Sequence, residues 1–170
     1  IENTITAREL NVSSIFAGFD QHVNGAPSHT ALSPDWVFTD YDLFGAALAN
    51  GADQFVAEAW SYFPANALIR DVNANTGERG ALWIDGEKVS ERTTDTGTER
   101  AIFPETAIPC GFHKIGVQLS DVSAASGVAI QVSYDQGATW SNLVGYPSKP
   151  SFKCVPVARC EDSGQLINAQ

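Results

Sequence analysis

The chain has 170 residues, the length of one domain rather than two. Hydrophobic residues make up 44% and charged residues 18%, enough apolar material for a core and too little charge for a disordered chain. Ten Lys and Arg against twenty Asp and Glu leave a net charge of −10 with no basic cluster, which argues against nucleic-acid binding, and no apolar run approaches the ~20 residues of a membrane helix.

The chain begins at Ile1 with no leader pattern, as expected of a processed chain or of a domain cut from a longer one. Residues 1–50 are expected to be largely irregular, with turns at Asn24-Gly25 and Ser33-Pro34-Asp35. Within them, residues 5–12 read either as a first strand or as an arm that pairs elsewhere. Residues 42–48, Asp-Leu-Phe-Gly-Ala-Ala-Leu, are the one place for a short helix. Asn11-Val12-Ser13 is a glycosylation sequon, meaningful only in a secreted eukaryotic chain.

Strand signals strengthen from residue 54. Residues 55–63 are rich in aromatics and bounded by Gly51 and Pro64, and residues 67–72 form another short run. Residues 81–89 read as a hairpin about Asp85-Gly86, a favoured two-residue turn because both central positions need φ > 0. In 112–119, His113, Ile115, Val117 and Leu119 alternate with Lys114, Gly116 and Gln118. In 128–134, Val128, Ile130, Val132 and Tyr134 alternate with Ala129, Gln131 and Ser133. Period two predicts strands with one buried and one solvated face.

The tail, 147–170, is expected as an irregular strap pinned by its cysteines. Cys154 and Cys160 can close a small disulfide loop. Cys110 bridging to either of them is equally allowed, and three buried thiols is the third reading. A disulfide would indicate an oxidising compartment. Together these elements predict a single all-β domain, an antiparallel β-sandwich or jelly roll with at most one short helix.

Residues 133–140 match the Asp-box pattern Ser-x-Asp-x-Gly-x-Thr-Trp. The aspartate can accept turn N–H groups, the glycine permits the tight turn, and the Trp packs beneath. Such boxes recur in sialidase-like propellers, which need several copies and a longer chain. Here the motif reads as a hairpin device. Residues 82–89, Leu-Trp-Ile-Asp-Gly-Glu-Lys-Val, resemble the core hairpin of PA14-type domains. The strand Gly111-Phe-His-Lys-Ile-Gly-Val117 and the following Gly127-Val-Ala-Ile-Gln-Val-Ser133 are similar to the strands that succeed it there. The resemblance spans about residues 54–140. It implies a β-sandwich of the kind found in adhesins, toxins and glycoside-processing proteins, many of which bind sugar through calcium. Calcium-dependent members carry adjacent aspartates before the hairpin, and this chain has none. Asp71, Asn73 and Asn75 offer an alternating oxygen-rich run instead, which reads either as a Ca²⁺ site or as a polar turn.

Aromatics are the other route to a sugar. Trp36, Trp60, Tyr62, Trp83, Trp140 and Tyr146 could stack on a pyranose, although most Trp in a sandwich are core. Trp60 and Tyr62 share a strand face with Glu58, so Glu58, Trp60, Tyr62 and Tyr146 are the expected ligand-binding residues. Catalytic signals are absent from the sequence: His22, His29 and His113 lack metal-ligand spacing, and there is no nucleophile elbow or Walker loop. Glu58 and Glu105 are the only carboxylates considered as a glycoside-hydrolase pair. The expectation is a non-catalytic, extracellular or cell-surface module that recognises carbohydrate or a surface receptor, with calcium its one candidate cofactor. The alternative is a structural subunit of a virion or extracellular filament, with residues 5–12 adding to a neighbour's sheet and the tail embracing a partner.

Overall fold

The computed structural model describes residues 5–10, 30–39, 54–72, 75–76, 79–94, 99–120, 127–146, 158–160 and 166–168. It is all-β. The strands are β1 (Ile5–Leu10), β2 (Thr30–Ser33), β3 (Val37–Thr39), β4 (Gln54–Phe63), β5 (Ala67–Asp71), β6 (Asn75–Thr76), β7 (Arg79–Ile84) and β8 (Glu87–Arg92). They continue with β9 (Glu99–Arg100), β10 (Thr106–Ile108), β11 (Gly111–Ser120), β12 (Gly127–Ser133), β13 (Ser141–Asn142), β14 (Ala158–Cys160) and β15 (Leu166–Asn168). The helix expected at 42–48 lies outside the described residues.

Two antiparallel sheets form the sandwich. The larger runs β2-β1-β4-β11-β7-β8, and the smaller runs β10-β5-β12-β13, with β3 also on β12. Ile130 joins the two short strands to one edge of β12. It donates its N–H to Trp36 O at 3.0 Å and accepts the Leu143 N–H at 3.0 Å. β6 and β9, and β14 and β15, pair separately. The described residues of the first fifty therefore supply three strands where mostly irregular chain was expected. Of the two readings for 5–12, the strand holds, and it is an internal one between β2 and β4. The tail, expected as an irregular strap, holds the β14–β15 ladder.

Period two explains the core. Phe55, Ala57, Ala59 and Phe63 of β4 point inward beside Ile115, Val117 and Leu119 of β11 and Leu82 of β7. Facing them are Ala67 and Ile69 of β5 and Val128, Ile130 and Val132 of β12. Trp36, Phe38 and Phe55 form an aromatic run, with successive ring centroids 6.1 and 6.5 Å apart. Each such side chain, fully buried, contributes roughly 1.5–3 kcal/mol. The alternation overstates one point. Gln118, expected on a solvated face, is completely buried, as is Ser120. Gln118 accepts the Trp83 indole N–H at 3.1 Å, so its amide gains a protein partner on leaving water.

Asp71 ends β5 on its inward face. One carboxylate oxygen accepts the Ile102 N–H at 2.7 Å and the other the Ala129 N–H at 3.0 Å. It thus ties the segment ahead of β10 to β12.

The sandwich is closed by residues 143–146, which pass from the smaller sheet to the larger. Leu143 is core, Ser61 donates its hydroxyl to Val144 O at 2.7 Å, and Tyr146 exchanges two backbone hydrogen bonds with Trp60, at 2.8 and 2.7 Å. Gly145 makes this passage possible. A Cβ there would collide with the Ile5 side chain and lie 2.7 Å from Ala59 Cβ, an atom anchored to its backbone. Gly145→Ala is therefore expected to cost roughly 1–3 kcal/mol through overpacking, read as a lower urea midpoint with an unchanged slope. A midpoint equal to wild type would show that the crossing has slack.

Candidate functional site

The face of β4 that turns away from the core carries Glu58, Trp60 and Tyr62, all half-buried. The register with β11 sets Phe112 opposite Tyr62, Lys114 opposite Trp60 and Gly116 opposite Glu58. Tyr62 and Phe112 pack as a tilted pair, with centroids 4.8 Å apart and planes at 41°. On the other side of Trp60, the isolated bridge places Tyr146 directly across from it. Directly opposed residues share a face. Tyr146, Trp60 and Lys114 therefore form one row, with Tyr62 and Phe112 in the next. Lys114 Nζ reaches Glu58 Oε1 at 3.6 Å, adding one ion pair beside the rings. The pair is partly exposed and contributes little to stability.

The hairpin turn secures this row from below. Asp85 and Gly86 have φ of 54° and 85°, as the Asp-Gly pair predicts. The Asp85 backbone N–H donates to Lys114 O at 2.8 Å, and Oδ1 accepts the Lys114 N–H at 2.8 Å. Oδ2 lies 2.6 Å from His113 Nδ1. His113 thus partners a turn aspartate.

A groove of about 420 Å³ opens on the outer face of the smaller sheet, with Leu68 between Ala107 on one wall and Ser133, Tyr134 and Gln136 on the other, and with Asn66 in its lining. The turn at 133–140 shapes its second wall. Ser133 Oγ donates to Asp135 Oδ1 at 2.8 Å and accepts the Gly137 N–H at 2.8 Å. Asp135 also accepts the Thr139 N–H at 2.8 Å and the Thr139 hydroxyl at 2.6 Å. Gln136 and Gly137 take φ of 58° and 91°, and the Trp140 indole donates to Gly137 O at 3.0 Å. Arg70 lies over the Trp140 ring, 4.0 Å from its centroid, and bonds Gln131 Oε1. Burial, and after it the Tyr62 phenol, pushes the Tyr134 hydroxyl above its ordinary pKa of 10.0, so it stays neutral.

No family model matches this sequence, and no curated protein matches it. Solved structures share its fold. A PA14 domain, that of the MpAFP antifreeze protein, aligns with a TM-score of 0.58 at 11% identity, over 87% of this chain and 93% of that one. An anti-sigma factor domain-containing protein aligns with a TM-score of 0.58 at 11% identity, over 84% of this chain and 46% of that one. Another, from Clostridium clariflavum, gives 0.54 at 10%, over 88% and 48%. The chain spans about half the length of these two anti-sigma factor chains. At such identities the likeness is one of fold, and the fold is PA14-like.

The four residues expected to bind ligand, Glu58, Trp60, Tyr62 and Tyr146, thus meet on one face. Phe112 and Lys114 join them. Sequence reasoning missed both, although they occupy the opposite phase of β11 from Ile115 and Val117. Two of the other aromatics separate from the site: Trp36 is fully buried and Trp140 serves the turn. Trp83 lies on the same outer face, across Gly116 from Glu58, but is only 9% exposed. Asp71 is 4% exposed and turned inward, Asn73 lies outside the described residues, and Asn75 is placed only as β6 backbone opposite Arg100. Cys154 lies outside the described residues, and Cys160 is placed as backbone opposite Leu166. Glu58 and Glu105 belong to different regions, one on β4 and one just before β10 of the other sheet.

The turn yields a pH dependence. Bonds from the Thr139 hydroxyl, then the Thr139 N–H and the Ser133 hydroxyl, lower the Asp135 pKa from 3.8 to about 2. Between those values the unfolded chain binds the proton first, so this carboxylate's stabilisation is complete above about pH 4 and lost as pH falls through 2. The melting-temperature gap between wild type and Asp135→Ala is expected to be widest at neutral pH and to narrow below pH 4. A gap independent of pH would mean that the charge does not hold the turn.

Proposed function

We propose that this chain is a non-catalytic binding module, acting outside the cell or at its surface, which recognises carbohydrate on the outer face of β4. The observation that carries the reading is the cross-strand assembly of Trp60, Tyr62, Phe112 and Tyr146, half-buried and next to the Glu58–Lys114 pair. Ring faces present flat apolar area to the C–H face of a sugar. A carboxylate and an ammonium alongside can accept from and donate to its hydroxyls. Trp60, Tyr62 and Phe112 sit on the internal strands β4 and β11, and Tyr146 is tied to Trp60 by two backbone bonds, so little freedom remains to be lost on binding.

The alternative, a subunit of a virion or filament, loses one of its motives. β1 has β2 on one edge and β4 on the other, so it is no arm for a neighbour. The far edge strand, β8, carries Glu87, Lys88, Glu91 and Arg92, charges of the kind that discourage strand addition.

The calcium expectation at 71–75 enters the test rather than the mechanism, because Asp71 commits both carboxylate oxygens to backbone amides. A glycan array probed with wild type and with Trp60→Ala, with and without chelator, tests the reading. Wild type is expected to bind at least one glycan class. Trp60→Ala, whose backbone bonds to Tyr146 survive, is expected to bind it about 30-fold more weakly, the loss of roughly 2 kcal/mol for a central aromatic. Chelator is expected to change nothing. No bound glycan, or equal binding by the variant, would sink the face as a sugar site. Loss of binding in chelator would return it to 71–75.

A further inference from the structure

The outer face of the smaller sheet carries an array of its own. β5 alternates, so Leu68 and Arg70 point outward while Ala67, Ile69 and Asp71 point inward. The register places Ala107 and Ser133 beside Leu68, and Gln131 beside Arg70. The two rows are contiguous. A Cβ added at Gly137 would lie 3.6 Å from Trp140 Cζ2 and 4.0 Å from Leu68 Cδ1, so Trp140 and Leu68 flank one glycine. Arg70 lies over that same Trp140 ring, 4.0 Å from its centroid.

Arg70 is held but not used up. A guanidinium has five N–H donors in a fixed fork. Gln131 Oε1 accepts one from Nε at 3.1 Å and one from Nη2 at 2.8 Å, along one side of that fork. Trp140 lies against the guanidinium, and its own indole is pinned to Gly137 O. The end of the fork, one N–H on each Nη, has no partner among the described residues, and no carboxylate among them pairs with Arg70. Asp135, in the neighbouring turn, gives its oxygens to Ser133 and Thr139 instead. A guanidinium fixed in this way can take a carboxylate through two parallel bonds, and an amide partner leaves its positive charge uncompensated.

The groove beside it suits a neutral body. At about 420 Å³ it is within the usual range for small-ligand sites. Leu68 and Ala107 offer apolar contact, the Tyr134 phenol and the Gln136 carboxamide offer hydrogen bonds, and no charged side chain lines it. Gln136 is set at φ 58° by the hydrogen-bonded turn. Leu68 and Arg70 are two residues apart on one strand, roughly 6.6 Å, about the span of one sugar ring with its carboxylate. A peptide C-terminus also ends in a carboxylate, but peptides commonly bind a sheet by adding a strand, and the neighbouring β10 lies between Pro104 and Pro109.

We propose that this face holds a separate binding site for an acidic sugar, a uronic acid unit, with Arg70 taking the carboxylate and the groove seating the ring between Ala107 and Tyr134. The site lies on the other sheet from the Trp60–Tyr146 row and does not depend on what that row binds.

Calorimetric titration with galacturonic and glucuronic acid oligomers of one to three units, each beside its methyl ester, tests this. The ester keeps the ring and its hydroxyls and removes the charge. Wild type is expected to bind one acid series, and its ester at least about tenfold more weakly. Arg70→Gln is expected to bind acid and ester alike, at the ester's affinity. Ala107→Trp, at an exposed position, is expected to weaken both, and Trp60→Ala to change neither. A melting curve checks each variant's fold, and the wild-type ratio of acid to ester needs no variant. The site is overturned if wild type binds neither acid series, or binds acid and ester equally. It is also overturned by an acid preference that survives Arg70→Gln, or by acid binding that Ala107→Trp leaves untouched. These results leave the aromatic face standing, since its own test uses Trp60→Ala. Loss of acid binding in Trp60→Ala would instead move the ligand to that face and sink the site on the smaller sheet.

Discussion

The two hydrogen bonds between Trp60 and Tyr146 are the constraint on which the arrangement turns. β1 covers the edge of β4 only as far as Glu58, where Thr6 is its partner. Beyond that point the β4 edge would present unpaired backbone groups to solvent or to another chain. Residues 143–146 occupy it. In doing so they draw a segment that began against β12 across to the opposite sheet, seal the sandwich over Leu143, and set a tyrosine beside a tryptophan. Gly145 is the condition for all of this, since the passage runs against Ile5, Ala59 and Trp36 with no room for a side chain. A single closure thus serves the core and the candidate site together.

The same economy appears at the hairpin turn. Asp85 adopts the left-handed conformation that the tight turn requires, and its carboxylate then reaches β11. The bonds to the Lys114 backbone fix the strand at the point where Lys114 faces Trp60. The aromatic face is therefore built on backbone held from three directions, by the turn, by β11 and by the 143–146 crossing. A surface so held differs from a loop site, whose geometry must be ordered at each encounter.

Much of this was legible in the sequence, for identifiable reasons. β11 and β12 announce themselves because a half-buried strand must alternate, β4 because its aromatics are bounded by Gly51 and Pro64, and Asp85-Gly86 because few residue pairs tolerate two positive φ angles. The grouping of Glu58, Trp60 and Tyr62 follows from the same alternation within one strand. What escaped reading depends on pairing between distant parts of the chain. Nothing local in Tyr146 says that it will meet Trp60, and nothing in Phe112 says that it will meet Tyr62. Gln118 was misjudged because alternation reports polarity, not coverage, and it has an indole as its partner. Asp71 sits in a polar run that resembles a cation loop, yet the end of β5 turns it inward to receive two amides. Short strands such as β2 and β3 carry too few residues for any period to register.

The PA14-like fold does not by itself select a ligand, because one sandwich can present a site on its loops, its edge or its sheet face. Here the loop run at 71–75 loses its first oxygen donor to the interior, whereas the sheet face gains residues beyond those expected. Burial sharpens the contrast. In the row that crosses β4, β11 and β7 on the outer face, Val56, Gln118 and Ala81 are completely buried, while Glu58, Trp60, Tyr62, Phe112, Lys114 and Tyr146 are only half-buried. The accessible aromatic area of this face is thus confined to the Phe63 end of β4. In so acidic a chain, a patch with a single lysine and a single glutamate in contact is nearly neutral locally. Contact area and local hydrogen bonding, rather than long-range attraction, would then govern what binds there.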